Sequence, residues 1–265
     1  MNIALLGSGH TATVLGRLFR NNSHRITQVW SRNPAHAQLL ASELDAGTAE
    51  AITDLQPGAE LYLLAISDDA LEEVAKQWPL PDVLVAHTAG AVPLSVLDAA
   101  SNRRGVFYPL QRLRKEALQP QQIPILVDGN TPEVQQLLEQ LARSIGCTVA
   151  PVNDVQRLRL HTAAVISSNF SNHLFALTQD WCDKNGVDFA LLLPLLEEVV
   201  QGLHHQRAAD QQTGPAWRGD RHTLARHQEL LQDETGLLRV YEILSESIGE
   251  MYRKKEELRT PNPQA

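Results

Sequence analysis

Short apolar runs alternate with amphipathic stretches from the first residues of the chain to about Pro151. "IALLG", Ile3 to Gly7, is a continuous apolar run, which suits a strand covered on both faces as in a parallel sheet. "HTATVLGRLF" then changes period. Val14, Leu15, Leu18 and Phe19 make a stripe at helical spacing. The alternation continues with a strand in "RITQVW", a helix in "AHAQLLASEL" after Pro34, a strand from Glu60 to Ser67 and an apolar run in "DVLVAHTAG". Short strands in "GVFYPLQ", "IPILVDG" and "CTVAPV" follow, with a helix in "PEVQQLLEQLARSIG". Strands alternating with helices specify an α/β sheet of mostly parallel type.

From Asp154 onward the strand signals stop. "DVQRLRLHTAAVISSNFSNHLFALTQDWCDKNG" predicts one long helix ended by Asn185–Gly186. Further helices are predicted from Asp188 to Ala209, over "RHTLARHQELLQ" with Asp220 as its cap, and from Thr235 to Leu258, with "QQTGPAWRGD" as a loop. The expected organisation is a Rossmann-like domain over residues 1–152 and an all-α domain over residues 153–265.

The junction after the first strand carries chemistry. Gly7, Gly9 and Ala12 fall in the G-x-G-x-x-A dinucleotide fingerprint. Gly7 would permit the turn, Gly9 would let phosphate oxygens approach the main chain, and Ala12 would let helix and strand pack closely. Ser8, His10 and Thr11 complete the loop, and the N-terminal amides and dipole of the helix favour an anion. At the end of the second strand an NAD site usually carries an acid for the ribose 2′-hydroxyl. This chain has Ser31 and Arg32 instead, a hydroxyl and a guanidinium suited to a 2′-phosphate, so the expected cofactor is NADP. Ligands of such sheets bind beyond the carboxyl ends of the strands, which places Ala65, Ile66 and Ser67 along the nicotinamide ribose.

Candidate catalytic groups follow from the same placement. His87, at a strand end in "AHTAGAV", is a sensible general acid for a carbonyl or imine reduced by hydride. Tyr108 and Asp68 also stand at strand ends and are weaker candidates. In the long helix, polar residues interrupt the apolar pattern: His161, Ser168 and Asn172 share a line at helical spacing, with Asn169 and His173 to one side. His161 is a candidate for the site and Asn169 for orienting the substrate. Arg218 offers a fork for an anionic substrate group. The histidines show no metal spacing, so no metal is expected.

"GSGHTA", "VWSR", "LAISDDAL", "HTAG", "FYPLQ", "SSNF" and "TGPAWRGDRHTLARH", in this order, resemble the NADP oxidoreductases in which a Rossmann-like domain precedes the helical domain-of-unknown-function family 2520. More distantly the layout resembles pyrroline-5-carboxylate reductase, ketopantoate reductase and the β-hydroxyacid dehydrogenases. The resemblance implies a helical domain that often forms a homodimer interface and a small-molecule substrate held between the domains. It implies no particular substrate. The β-hydroxyacid dehydrogenases place a catalytic lysine four residues before an asparagine of the first long helix; with Asn169 as that asparagine, the position is Val165, and the lysine mechanism does not transfer.

The formal charge of −8, from 23 basic and 31 acidic residues, weighs against a nucleic-acid surface. The two cysteines, Cys147 and Cys182, make neither a metal motif nor a disulfide framework. No apolar run approaches the length of a membrane span, and the N-terminal run breaks at Gly7 without a basic leader, so a cytoplasmic protein is expected. The leading functional expectation is hydride transfer between NADPH and a small carbonyl or imine compound. The alternatives are a non-catalytic NADP-sensing or scaffolding dimer and an NADP:deazaflavin reductase.

Overall fold

The structure, a computed structural model, describes residues 1–116 and 122–259, with side chains as far as residue 252. It divides into two compact units, Met1–Ser167 and Ser168–Ala265.

The first unit is built on an eight-stranded sheet with the order β3-β2-β1-β4-β5-β6-β7-β8. The strands are β1 (Asn2–Leu6), β2 (Arg25–Trp30), β3 (Gly47–Thr48), β4 (Leu61–Leu64), β5 (Leu84–His87), β6 (Arg103–Pro109), β7 (Pro124–Gly129) and β8 (Thr148–Pro151). All neighbours are parallel except β6 and β7, which pair antiparallel with Tyr108 opposite Leu126. The mostly parallel α/β expectation therefore holds, with one reversal that the apolar pattern does not encode.

Alternate residues of β1 feed two cores. Ile3 and Leu5 pack with residues of α1 (His10–Asn21), α2 (Pro34–Leu44) and α4 (Pro132–Ser144) on one face. Ala4 and Leu6 join Tyr62, Leu64 and residues of α3 (Leu71–Lys76) on the other. This is why the strands read as unbroken apolar runs: both faces are covered. The helices start where local chemistry allows. Asn33 accepts from the amides of Ala35 and His36 before Pro34, and Thr131 accepts from that of Val134 before Pro132.

The first unit continues into the long helix. Its opening segment, α5 (Asp154–Ala164), is tied to the sheet by an ionic network around one buried arginine. Arg157, only 1% exposed, donates to Asp154 at 2.6 Å and to the carbonyl of Val92 at 2.6 Å. Asp154 accepts from the amide of Leu94, and Asp128 of β7 lies 3.9 Å from the guanidinium. This attachment explains why the compact unit runs to Ser167. The change of composition predicts a boundary at residues 152/153, whereas the division falls inside the long helix.

That helix is not uniformly α-helical. Val165–Phe170 forms a π-helical stretch between α5 and α6 (Ser171–Lys184). The alignment of His161, Ser168 and Asn172 assumes an uninterrupted 3.6-residue turn, and the extra residue per π turn removes that register. The second unit holds α6, α7 (Leu193–Gly202), α8 (Ala208–Gln211), α9 (Pro215–Arg218), α10 (Arg221–Leu230) and α11 (Thr235–Arg259). Lys184 pairs with Glu234, and His227 of α10 shares a 2.9 Å hydrogen bond with Tyr241 of α11. "PAWR", predicted as loop, is one short helical turn closed by Gly219 in the left-handed region. Asp220 caps α10 through Thr223, as expected.

The sheet buries one ionisable ring whose titration the fold must suppress. His87 is fully buried; burial, together with the nearby charge of Arg157, pushes its pKa from 6.5 down to about 4, with Asp154 opposing. The unfolded chain therefore binds a proton near pH 6.5 that the folded chain refuses until about pH 4, and stability conferred by the neutral ring is complete above pH 6.5 and declines below it. Between pH 7.5 and 5 this group is expected to remove about 2 kcal/mol of stability. Urea unfolding at the two pH values should show that loss in the wild type and a smaller one in His87→Leu.

Candidate active site

Of the polar groups expected to form a site, Ser8, Ser31, Arg32 and Ser67 lie along one rim, at the carboxyl ends of β1, β2 and β4. The turn after β1 fixes it. Gly7 has φ of +128°, and a Cβ there would lie 2.1 Å from the carbonyl oxygen of Ala65, just beyond β4. Glycine is thus required both by conformation and by the approach of the two strand ends. Gly9 is different. It is the N-cap of α1 with ordinary extended angles, and a Cβ built on it meets nothing within 4 Å.

The space before α1 has the character of an anion site. No side chain caps the helix, and its first turn holds no acid. The amides of His10, Thr11 and Ala12, at the first three positions of the helix, lie too early for an i−4 partner within it. Ala12 is fully buried, consistent with close packing of α1 on the sheet. Filling that space with phosphate oxygens satisfies the amides and the helix dipole together. The His10 ring is otherwise engaged: its Nδ1 accepts from the amide of Lys115 at 3.2 Å and lies 3.9 Å from Glu116.

Next along the rim, Ser8 donates to the Ser31 hydroxyl at 2.8 Å, linking the glycine turn to the end of β2. Arg32 is exposed and reaches the Ser67 hydroxyl at 3.4 Å. Ser31, Arg32 and Ser67, read separately from the sequence, are therefore neighbours. Ala65 is buried against the Gly7 turn, Ile66 is half-buried and Ser67 is exposed. The residues fit a dinucleotide with a 2′-phosphate: an open amide cradle, a guanidinium one strand away and no carboxylate in the β2-end place.

The catalytic candidates fare differently. His87 corrects the expectation of a general acid. All of Leu84–His87 is buried; the Nδ1 of His87 accepts from the amide of Ala89, and its Nε2 is sealed from solvent. A ring so placed, and held neutral, does not meet a substrate. His161 does reach the rim. Its Nδ1 lies 2.9 Å from the Tyr108 hydroxyl, and both rings are half-buried against Gly90. Tyr108, a weaker candidate from its strand-end position in "GVFYPLQ", is the partner of that ring. Asn169, in the π-helical stretch, and Arg218, at the end of α9, are both exposed residues of the second unit. Among the described residues no group of three or more histidine, cysteine or acidic side chains is placed to hold a metal.

Comparisons with known proteins bear on the family and the fold. The family described as NADP oxidoreductase coenzyme F420-dependent matches residues 2–90, and the domain of unknown function DUF2520 matches residues 123–248. No curated protein matches the chain. A protein of Bacteroides fragilis named as an NADP oxidoreductase is 32% identical, with 94% of this chain and 98% of that one covered and a TM-score of 0.85. A reductive aminase from Aspergillus terreus, solved with NADPH and ethyl-5-oxohexanoate, is 16% identical over 96% and 94% of the two chains, with a TM-score of 0.71. A 1-pyrroline-5-carboxylate reductase from Streptococcus pyogenes is 19% identical over 96% and 98%, with a TM-score of 0.62. The last two share the fold. With a full-length relative at 32% identity and the two family matches in order along it, the chain belongs to the NADP oxidoreductases that join a Rossmann-like domain to DUF2520.

Proposed function

We propose that this protein binds NADPH along the rim of its sheet and transfers hydride from it to a small carbonyl or imine compound. The observation that carries the reading is the uncapped N-terminus of α1 behind Gly9, open where a diphosphate is needed. The amides at Gly9, His10, Thr11 and Ala12 hold the diphosphate. Ser31 and Arg32 take the 2′-phosphate, with the hydroxyl of Ser67 steadying the guanidinium. Ala65 and Ile66 border the nicotinamide ribose. The cofactor supplies the hydride; the chain binds it, orients it and furnishes the accompanying proton. The reductive aminase solved with NADPH supports the choice of cofactor, and the acid missing at Ser31–Arg32 supports NADP over NAD. Asn169 and Arg218 remain our candidates for orienting the substrate and binding an anionic group on it.

One observation favours a second reading. The description of the family matching residues 2–90 names a deazaflavin coenzyme, and hydride exchange between NADP and a deazaflavin would use the same first unit. Deazaflavin reduction by NADPH, followed by loss of its visible absorbance, separates the two.

We also infer a homodimer through the helical unit. Among the described residues, Cys182 and Leu231 are the buried apolar side chains of that unit, while Leu191, Leu195, Val199, Val200 and Ile243 are each more than half exposed. An uncovered apolar surface of this kind marks an interface. Light scattering is expected to give twice the chain mass, and charged substitutions at Val199 and Val200 are expected to lower it.

Fluorescence titration should give tighter binding of NADPH than of NADH. Arg32→Asp is expected to weaken NADPH by about tenfold to a hundredfold, the range of a charge-assisted hydrogen bond, while sparing NADH. Equal affinity of the wild type for both coenzymes contradicts the assignment. Gly9→Ala is expected to keep the fold, losing about 1 kcal/mol or less as a poorer cap, yet to abolish coenzyme binding. NADPH oxidation screened against pyrroline carboxylates, 2-keto acids and β-keto acids then identifies the substrate class.

A further inference from the structure

We propose that Tyr108 is the catalytic proton donor of this site and that His161 is the positioning residue that holds its hydroxyl and resupplies its proton. The proposal rests on the hydride-transfer reading above and deepens it.

Three separate elements converge on the hydroxyl. Tyr108 is the penultimate residue of β6, with its oxygen 2.9 Å from His161 Nδ1 of α5 and the two rings edge to face at 5.8 Å. Gly90, on the connection leaving β5, is their seat. A Cβ there would lie 2.6 Å from His161 Nδ1 and 2.8 Å from Tyr108 Cζ, so the pair rests on bare main chain. The ionic network fixes α5 one turn before His161: Arg157 grips the carbonyl of Val92, and Asp154 accepts from the amide of Leu94, both on the same connection as Gly90. Gly90 and the dyad are thus held by the same segment from two sides, while Asp154, Arg157 and the buried His87 meet no substrate.

The groups facing the phenol are His161 and Arg157 on α5 and Asp68 after β4. Burial and the Asp68 carboxylate raise the pKa of Tyr108 above its usual 10, with Arg157 opposing. The phenol therefore keeps its proton across the neutral range. Asp68 directly follows Ser67, the residue that Arg32 touches. The dyad thus continues the polar rim that begins at the glycine turn.

The step balances as follows. Hydride brings two electrons and a hydrogen to the carbon of C=O or C=N, and the π pair moves to the heteroatom. The Tyr108 O–H bond breaks as its proton goes to that heteroatom. The resulting alkoxide or amide is a far stronger base than a phenolate, so even a raised phenol gives up its proton downhill. A proton from His161 Nδ1 restores the phenol, and the ring regains one from solvent. Per turnover one NADPH and one solvent proton are consumed, and NADP+ and one alcohol or amine are formed.

The test uses the full-length protein, NADPH and the panel of pyrroline carboxylates, 2-keto acids and β-keto acids. Tyr108→Phe keeps the ring and removes one oxygen. It is expected to lower kcat by about a hundredfold or more, the usual worth of a general acid, with KM and NADPH affinity unchanged. His161→Asn keeps a nitrogen near the Nδ1 place but cannot take up a proton. It is expected to lower kcat and to change its pH profile. Gly90→Ala, which alters neither ring, is expected to lower kcat by wedging the pair apart. A Tyr108→Phe enzyme with undiminished kcat overturns the proposal and leaves the hydride reading standing. An unchanged pH profile in His161→Asn overturns the role of His161. A wild type that binds NADPH and oxidises it with no compound of the panel overturns the hydride reading itself, and the proposal with it.

Discussion

The close approach of Gly7 to the carbonyl of Ala65 is the constraint on which the rest of the site depends. With no Cβ in the way, the chain turns sharply out of β1 while staying in touch with the end of β4. That turn delivers Gly9 to the front of α1 with no side chain over the amides. The same geometry serves two purposes that a different residue would set against each other. A side chain at position 7 would push two strands apart; one at position 9 would leave the strands intact and enter the open space before α1.

A second constraint operates on the far side of the rim. Arg157, buried, pairs with the half-exposed Asp154, and an ion pair with one buried member is by itself weak evidence for stability. Its geometric effect is plainer. It joins the start of α5 to the connection leaving β5, and the ring of His161 then has one place to be, against Gly90 and Tyr108. The cost of burying the arginine is spent on position. The neutral His87 lies close enough to feel the charge of Arg157, so the residue whose location suggested acid–base chemistry belongs to the support beneath the site.

Much of this was legible in the sequence, and the residues say why. The strands read correctly because both faces of the sheet are covered, which turns each strand into an unbroken apolar run. The glycine turn and Arg32 stand where expected, after β1 and after β2, because their signals lie within a few residues of a strand end. What the sequence concealed was contact between distant residues. Tyr108 and His161 are separated by 53 positions and meet only because α5 is anchored to the β5 connection. His87 ends a strand at the rim, but its ring turns into the core, a direction that strand position alone does not fix. The π-helical stretch at Val165–Phe170 left no trace, since nothing in "VISSNF" breaks a helix. The ion network likewise explains why the first unit extends past the change of composition at Pro151.

The reversal of β7 carries a consequence of its own. Because β7 runs against β6, the passage between them begins and ends at the same rim as the glycine turn. Part of that passage already touches His10 through Lys115. A change at Lys115 would alter what stands against His10, in the first turn of α1, without disturbing a ladder of the sheet.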